Sequence, residues 1–406
     1  MKWASALSEA QDSATALAAA TEELQRQLGG TEPDLLVAFA SPHHADAYAT
    51  LPSQIAARFP RALLFGCSAA GVIGAGHEVE ERPALSLTAA SLPGVTLRAL
   101  AFGGAPGDAA SDAAAEAADG GGEPSVAPEP AAGTWRARVG IATEDDPQFL
   151  LIVDPFTFDA DAMVAGLDAA YPTGRKVGGL ASGGRGPGQN ALWAGERMQR
   201  VGAIGVAMTG DIAVDTIVAQ GCRPIGDPMP ITRADGHVVR ELGGKSPVAV
   251  MRAMYDGLSK PDKELFRHSL FVGLEMEEGR IEFRGDFLVR NIVGVDPNSG
   301  ALAVAAKVRQ WQVLQFLLRD AKTAEQDLSD RLERFRGPKP AGALLFSCTG
   351  RGQGLFGRAD HDTDLFRARV GAVPLGGFFC NGEIGPVGGQ TFLHGYTSAF
   401  GLFRKK

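Results

Sequence analysis

The sequence has little cysteine, and this scarcity excludes several classes of site. There are four cysteines in 406 residues, too few for the disulfide framework of a small secreted domain. No two of them form a C-x-x-C pair, so the sequence contains neither a zinc-ribbon nor a thioredoxin-type motif. We therefore predict reduced thiols in a reducing compartment at these positions, which are Cys67, Cys222, Cys348 and Cys380.

Long apolar runs and an excess of positive charge are also lacking. No stretch approaches the roughly 18 apolar residues that a membrane span needs, and the N-terminus lacks the apolar core of a signal peptide. The net charge is −8, which disfavours binding to nucleic acid or to an anionic membrane. These absences predict a cytoplasmic protein with no nucleic-acid or membrane partner.

Motifs for phosphate and metal binding are incomplete. Gly244, Lys245 and Ser246 match the end of a P-loop, but Val239 stands where its first glycine belongs. The pair His43–His44 is too local to supply a closed metal site. We predict neither a metal site nor a cofactor.

One segment differs in composition from the rest of the chain. Residues 103–133 contain a single large aliphatic residue, Val126. Such a segment cannot bury enough apolar surface to offset the entropy of ordering it. We predict a flexible insertion here, of undetermined role.

A pattern of apolar runs, helical spacing and glycine-rich chain recurs around this segment. Short apolar runs bounded by glycine and proline are typical of buried strands, and each copy is interpreted as strand–helix–strand–strand. The copies begin at residues 34, 149 and 343, and a more diverged fourth region covers residues 270–296. The pattern predicts an α/β (mixed α+β) fold with two related domains built from these repeated units.

Glycine and proline cluster at residues 220–230, which suggests a domain boundary. We predict a first domain at 1–220, including the insertion, and a second at 221–406. Within the second, residues 312–320 alternate as a half-buried strand does, and residues 321–336 have helical spacing.

Glycine-rich turns at the ends of predicted strands are the main candidates for a ligand site. Glycine lets backbone amides approach a ligand, and successive amides form concave anion sites. The alternative is that glycine only permits tight packing at a strand corner. The candidate contacts in these turns are Gly66, Cys67, Ser68, Gly71, Gly178, Gly179, Ser182, Cys348, Thr349, Gly350, Arg351, Cys380, Asn381, Gly382 and Glu383.

Charged residues in and near these turns suggest the ligand's chemistry. Arg351 could hold a carboxylate in a forked geometry and Glu383 could accept an ammonium group, which together suit a zwitterion. Arg290 and Asn291 lie within an apolar strand, where a buried charge needs a partner. The alternatives are a solvated loop charge and a strand side chain that points to solvent.

A catalytic alternative rests on the first turn. Gly66 to Ala70 resembles a nucleophile elbow, but Ala70 stands where the second glycine is expected. Cys67, Ser68 or Cys380 as a nucleophile would need a nearby base. A histidine nitrogen within hydrogen-bond reach would favour a hydrolase or acyl transferase, and a broad exposed apolar patch would favour an interaction scaffold.

Several long motifs resemble those of the FIST family. LLFGCSAAGVIGAGHEVE looks like the hallmark of the FIST N-terminal domain, and RNIVGVD, QFLLRDAKTAEQDL, LLFSCTGRGQGLFG and GGFFCNGEIGPVGGQTFLHGYTSAFGLF look like those of the FIST C-terminal domain. The resemblance covers nearly the whole chain apart from residues 103–133.

The resemblance implies a sensory module for small ligands, with amino acids or related carboxylates as candidates. Related domain pairs in eukaryotes accompany an F-box. We find no kinase, cyclase, methyl-accepting or F-box segment, so we expect the signal to pass to a separate protein partner. The leading expectation is ligand sensing without turnover.

Overall fold

The computed structural model describes residues 1–103, 132–276 and 287–406. Most of the predicted insertion, 104–131, lies outside the described residues, and residues 132 and 133 already belong to a helix. The chain divides into two compact units. The first comprises Met1–Ala219, Ser329–Leu393 and Thr397–Lys406, and the second comprises Gln220–Leu328 and His394–Tyr396.

The first unit is built from repeats, each with a parallel strand pair, a hairpin and a closing strand. The first repeat comprises β1 (Lys2–Ser8), α1 (Ser13–Leu28), β2 (Leu35–Ala40), α2 (Leu51–Arg58), β3 (Leu63–Ser68), β4 (Gly71–Gly74), β5 (His77–Glu80) and β6 (Leu85–Ser91). The second comprises β7 (Val95–Phe102), α3 (Ala132–Val139), β8 (Gln148–Val153), α4 (Ala160–Ala170), β9 (Lys176–Leu180), β10 (Leu192–Ala194), β11 (Arg197–Gln199) and β12 (Ala203–Gly210). A third repeat opens with β13 (Ala213–Gln220).

The second unit contains a closed barrel with the strand order β14-β15-β18-β17-β16-β19. Its elements are β14 (Cys222–Asp235), β15 (Val238–Leu242), α5 (Pro247–Gly257), α6 (Lys260–His268), β16 (Leu270–Glu275), β17 (Phe287–Val295), β18 (Leu302–Val304) and β19 (Val313–Arg319). The diverged fourth region thus supplies antiparallel barrel strands, β16 and β17.

Two segments of this barrel have a structure that their local sequence does not reveal. Residues 222–230 of the glycine- and proline-rich segment belong to β14, which accommodates them through a register shift between Ile225 and Met229. Strand β19 was expected to be half-buried, but its five central residues are all buried. Alternating side chains do not reveal that both faces of a strand are covered.

The third repeat resumes after the barrel with the same order of elements. It contains α7 (Ala321–Arg334), β20 (Gly342–Cys348), α8 (Gly352–Phe356), α9 (His361–Val370), β21 (Leu375–Cys380), β22 (Glu383–Val387), β23 (Gln390–His394) and β24 (Thr397–Arg404). The mixture of helices with parallel and antiparallel strands confirms the predicted α/β class.

Each sheet of the first unit combines one repeat with the hairpin of another. The sheet orders are β1-β6-β2-β3-β10-β11, β7-β12-β8-β9-β22-β23 and β13-β24-β20-β21-β4-β5. In every sheet the central pair is parallel (β2–β3, β8–β9 and β20–β21). The cyclic exchange of hairpins interlocks the three repeats, so none of them completes its sheet alone.

The local sequence explains where the elements begin and what they bury. Helix α1 follows Asp12, whose carboxylate accepts a hydrogen bond from the Thr15 amide at 2.8 Å, and it ends at Gly29 in the left-handed region. The central core draws on different sheets: the Phe39 and Phe378 rings stack with their centroids 4.6 Å apart.

One glycine recurs at the same register in each parallel pair. A Cβ on Gly66, Gly178 or Gly377 would lie 1.8, 1.8 or 1.9 Å from a carbonyl oxygen of the neighbouring strand. No side chain fits at that distance. These glycines allow the strands to approach closely. Tight packing is the role that the sequence offered for them as the alternative to ligand contact.

Candidate functional site

The carboxyl ends of β3, β9 and β21, the second strand of each parallel pair, lie together. Ser182 connects them, because its hydroxyl accepts a hydrogen bond from the Ala70 amide at 2.9 Å and donates one to the Phe379 carbonyl. The turns that the sequence predicted separately are therefore neighbours in the first unit.

The turn of the third repeat is fixed to that of the second. The Asn381 amide donates to the Leu180 carbonyl at 3.1 Å, and the Leu180 amide donates to the Gly382 carbonyl at 2.8 Å. A Cβ on Gly179 would lie 2.9 Å from the Cys380 sulfur, and one on Gly71 would lie 2.8 Å from the Phe379 ring. Gly71 and Gly179 therefore allow close packing between these turns. Asn381, in the turn after β21, is exposed to solvent.

Ser68 belongs to a buried polar chain. Its hydroxyl donates to the Asn190 side-chain oxygen at 3.3 Å and accepts from the Ala191 amide at 2.9 Å. Asn190 in turn donates to Asp154 at 2.8 Å. Cys67, one residue earlier, lies in the apolar core, where burial raises the pKa of its thiol well above the usual value.

The strongest charge in the site is a buried ion pair in the third repeat. Arg351 donates from Nε and Nη2 to the two carboxylate oxygens of Asp362, each at 2.9 Å. Both side chains are about 1% exposed. Burial alone would raise the pKa of Asp362, but the guanidinium and its other hydrogen-bond donors hold that pKa below the ordinary range. Arg351 is thus not the solvated loop charge that the sequence allowed.

The third guanidinium nitrogen of Arg351, Nη1, lies outside this ion pair. Nη1 of Arg351 is buried and has no hydrogen-bond partner among the described residues. An unsatisfied buried donor costs about 1–3 kcal/mol. The nitrogen is therefore a place where an added acceptor would be favourable.

Two further carboxyl groups lie in the same part of the unit. Glu383 is fully buried and accepts from the Thr397 amide and hydroxyl at 3.1 and 2.7 Å; burial raises its pKa to about 7. Glu78, from the β4–β5 hairpin of the first repeat, accepts from the Thr363 amide at 2.8 Å. Burial and the neighbouring Asp362 raise the pKa of Glu78 to about 8.

Two cysteines face each other across β20 and β21. Cys348 and Cys380 are paired in register on these parallel strands. The Gly350 amide donates to the Cys348 sulfur at 3.4 Å, and the Cys380 thiol donates to the Ser347 carbonyl at 3.3 Å. Burial and nearby Glu383 raise the pKa of Cys380. Thr349, which follows Cys348, is exposed.

Arg290 and Asn291 belong to the second unit, on β17. The Arg290 guanidinium donates to the Val289 carbonyl at 3.0 Å, and the Asn291 side-chain oxygen accepts from the Tyr396 hydroxyl. Arg290 is half-buried and Asn291 is exposed. Their predicted contact with a ligand stays a prediction.

Asp362, Glu78 and the Asn190–Asp154 pair were not among the residues that the sequence predicted. Glu78 was within a quoted motif, but its hairpin joins the sheet of another repeat, which the linear order does not reveal. Asp362 lies in an acidic run of α9 that resembles a solvated helix start. Only its burial distinguishes it from Asp364, which is half-buried beside Arg358.

The contacts of the candidate nucleophiles bear on the catalytic alternative. The observed partners of Ser68 are amide groups, and those of Cys380 are a carbonyl and the Glu383 carboxyl. The Nδ1–H of His361 donates to the Asp362 carboxylate, 2.8 Å away, and the imidazole ring stacks on Phe356. None of these contacts is the cysteine–histidine or serine–histidine pair that acyl transfer would need.

Metal-binding groups and membrane-spanning helices are absent from residues 1–103, 132–276 and 287–406. No group of three or more histidine, cysteine or acidic side chains there could hold a metal ion, and no helix there is sufficiently long and apolar to cross a membrane. Among the described residues, the exposed large apolar side chains are Phe156, Val293, Val295 and Trp311.

The chain resembles proteins of known sequence over almost its full length. It is 35% identical over 402 residues to an uncharacterized protein of Mycobacterium tuberculosis, covering 98% of both chains. It is 33% identical over 396 residues to an uncharacterized protein of Mycobacterium bovis, covering 97% of this chain and 96% of the other. An F-box/LRR-repeat protein of Arabidopsis thaliana is 30% identical over 132 residues, which is 28% of this chain and 25% of that protein.

Among solved structures, the cyanuric acid hydrolase of A. caulinodans aligns with this chain at 8% sequence identity and a TM-score of 0.36. The alignment covers 100% of this chain and 98% of the hydrolase chain, and this weak likeness supports no conclusion. The FIST N domain matches residues 34–245 and the FIST C domain matches residues 247–386. The chain is therefore a member of the FIST family, a family of small-ligand sensory domains, as its motifs predicted.

Proposed function

We propose that this protein is a cytoplasmic sensor that binds an amino acid or a related small carboxylate, and that Arg351 receives the carboxylate. The observation that carries the proposal is the unpartnered Nη1 of a buried arginine whose Nε and Nη2 already donate to Asp362. A guanidinium held in this way is preorganised, so a ligand loses little further entropy in using it.

The buried Arg351 has solvent-exposed residues close to it in the sequence and on the neighbouring strand. Arg351 lies two residues after the exposed Thr349, which directly follows β20, and the exposed Asn381 directly follows the neighbouring strand β21. In α/β proteins, ligands bind outside the carboxyl ends of strands. Thr349 and Asn381 would then contact the part of the ligand that remains near solvent.

The buried carboxyl groups support a ligand that also carries a positive charge. Glu383 and Glu78 have raised pKa values because burial disfavours their charged forms. An ammonium group near either carboxyl would favour its ionised form. A zwitterionic amino acid would match a site with one cation and two ionisable carboxyls better than a simple anion would.

Sensing requires that binding be transmitted, and we propose a separate protein partner as the receiver. A ligand can shift a conformational equilibrium only by its difference in affinity for the two states. The Arg351 turn connects β20 to α8 and α9, so a ligand there would stabilise one arrangement of these helices. A partner that contacts α8 or α9 would detect the change.

The test is a thermal-shift screen of the full chain against amino acids and small mono- and dicarboxylates, followed by calorimetry for each hit. Arg351→Lys keeps the charge but loses the forked geometry, so we expect binding to weaken at least tenfold. Arg358→Lys is the matched control, because Arg358 is exposed and paired with Asp364, and it should bind normally. Absence of any stabilising compound, or equal affinity in both variants, would contradict the proposal.

A further inference from the structure

The in-register pair Cys348 and Cys380 is not used by the proposed ligand site. The two residues occupy equivalent positions on adjacent parallel strands, so their side chains project from the same face of the sheet. Neighbouring strands lie about 4.8 Å apart, within the roughly 4.4–6.8 Å between Cα atoms that a disulfide spans.

The surroundings of the two sulfurs differ in a way that suits two chemical roles. The Gly350 amide donates to the Cys348 sulfur at 3.4 Å, and this sulfur interacts electrostatically with the Arg351 guanidinium. Both contacts favour negative charge on Cys348, which is the attacking form of a thiol. Cys348 is also 7% exposed and precedes an exposed residue, whereas Cys380 is fully buried.

Cys380 instead has a proton acceptor beside it. Its thiol is 3.5 Å from Oε1 of Glu383. Burial keeps Cys380 protonated by raising its pKa, and the raised pKa of Glu383, about 7, is suited to accepting a proton near neutrality. Cys380 would therefore react second, after an electrophilic disulfide has formed next to it.

We propose that Cys348 and Cys380 form a thiol–disulfide exchange site for low-molecular-weight disulfides, with Cys348 as the attacking thiol and Cys380 as the resolving thiol. The Cys348 thiolate attacks one sulfur of a disulfide RSSR, forming a mixed disulfide and releasing RS⁻, which takes up a proton. Cys380 transfers its proton to Glu383 and attacks the Cys348 sulfur, releasing a second RS⁻. Two protein thiols are thus oxidised while one small disulfide is reduced to two thiols.

The test uses the full chain with Cys222→Ser, which removes the half-buried cysteine of the second unit, and 2-hydroxyethyl disulfide as the probe. This reagent has no carboxylate, so its reaction does not depend on the proposed ligand. Intact-mass spectrometry should show the loss of two hydrogens, and peptide mapping should show a Cys348–Cys380 crosslink. Adding Cys380→Ser should trap one hydroxyethylthio adduct on Cys348, and Cys348→Ser should abolish the reaction.

Two rates test the proposal: the reaction rate of Cys348 relative to Cys67, and the crosslinking rate of a Glu383→Gln variant. Cys67 is buried in the apolar core and reports on unfolding, so Cys348 should react at least about tenfold faster than Cys67. Glu383→Gln should slow the crosslinking step about tenfold or more relative to adduct formation on Cys348. Equal labelling of Cys67 and Cys348, or an unreactive Cys348 in the folded protein, would overturn the proposal, and so would crosslinking at the same rate in the Glu383→Gln variant.

Discussion

Arg351 and Asp362 form a two-point ion pair, with both oxygens of the carboxylate bound at 2.9 Å and both side chains buried. Asp362 also accepts hydrogen bonds from Ser347 and Ser398. This pair therefore joins β20, β24, α9 and the turn that carries the proposed ligand contact. Its role in stability can be tested separately from its role in binding.

Replacing Asp362 by Asn should destabilise the first unit strongly. The substitution leaves the Arg351 charge buried without a counterion, a change that costs about 3–5 kcal/mol. Urea unfolding of the purified protein would measure the loss. Asp364→Asn is the matched control, because Asp364 pairs with the exposed Arg358 and Arg367 and should cost under about 1 kcal/mol. Similar losses in both variants would contradict the assignment.

The Glu383 carboxyl should make stability depend on pH. Its pKa is about 7 in the folded protein and 4.5 in the unfolded reference, chiefly because of burial. Between these pH values the folded state binds more protons than the unfolded state. The contribution of Glu383 to the free energy of unfolding is therefore complete below about pH 4.5 and is lost as the pH rises through 7. The change is on the order of 3 kcal/mol.

The Glu383→Gln variant tests this dependence. We expect its free energy of unfolding to fall less than that of the wild type between pH 5 and pH 8, as measured by urea denaturation at each pH. Glu333→Gln provides the control, since Glu333 is half exposed in a surface ion pair. Parallel pH profiles for Glu383→Gln and the wild type would show that the carboxyl is not perturbed.

Replacing Gly377 by Ala should destabilise the parallel pair β20–β21. The new Cβ would lie 1.9 Å from the Leu345 carbonyl oxygen, and only a separation of the strands could relieve the clash. The expected cost is about 3 kcal/mol or more. Gly354→Ala adds a Cβ with no atom within 4 Å and should change stability by less than about 0.5 kcal/mol. Thermal denaturation distinguishes the two outcomes.

Ser182→Ala should weaken the junction of the three repeats. It removes one hydrogen bond from the Ala70 amide and one to the Phe379 carbonyl, together worth about 1–3 kcal/mol. Hydrogen exchange at Ala70 should accelerate more than exchange in α1. Ser53→Ala, at an exposed helix position, should leave both rates as they are, and unchanged exchange at Ala70 would refute the role of Ser182.

Local sequence patterns predicted the strands that form the parallel pairs, and the turns after them, because those patterns depend on neighbouring residues alone. The run 34–41 and the stretch 62–74 contain β2 and β3, and the equivalents in the other repeats were also recognised. The barrel was less evident, since β14 includes three prolines and Gly226, which resemble a linker. Its bulge makes them compatible with a strand.

The sequence by itself determined the α/β class, the recurrence of the repeats and the family, because apolar periodicity, turn residues and long motifs are properties of consecutive residues. Tertiary structure decided that hairpins β4–β5, β10–β11 and β22–β23 complete the sheets of other repeats. It also decided that Arg351 meets Asp362 and that Cys348 faces Cys380. These relationships depend on burial and on strand register between distant segments, and pairing across a sheet is not encoded at any one position of the chain.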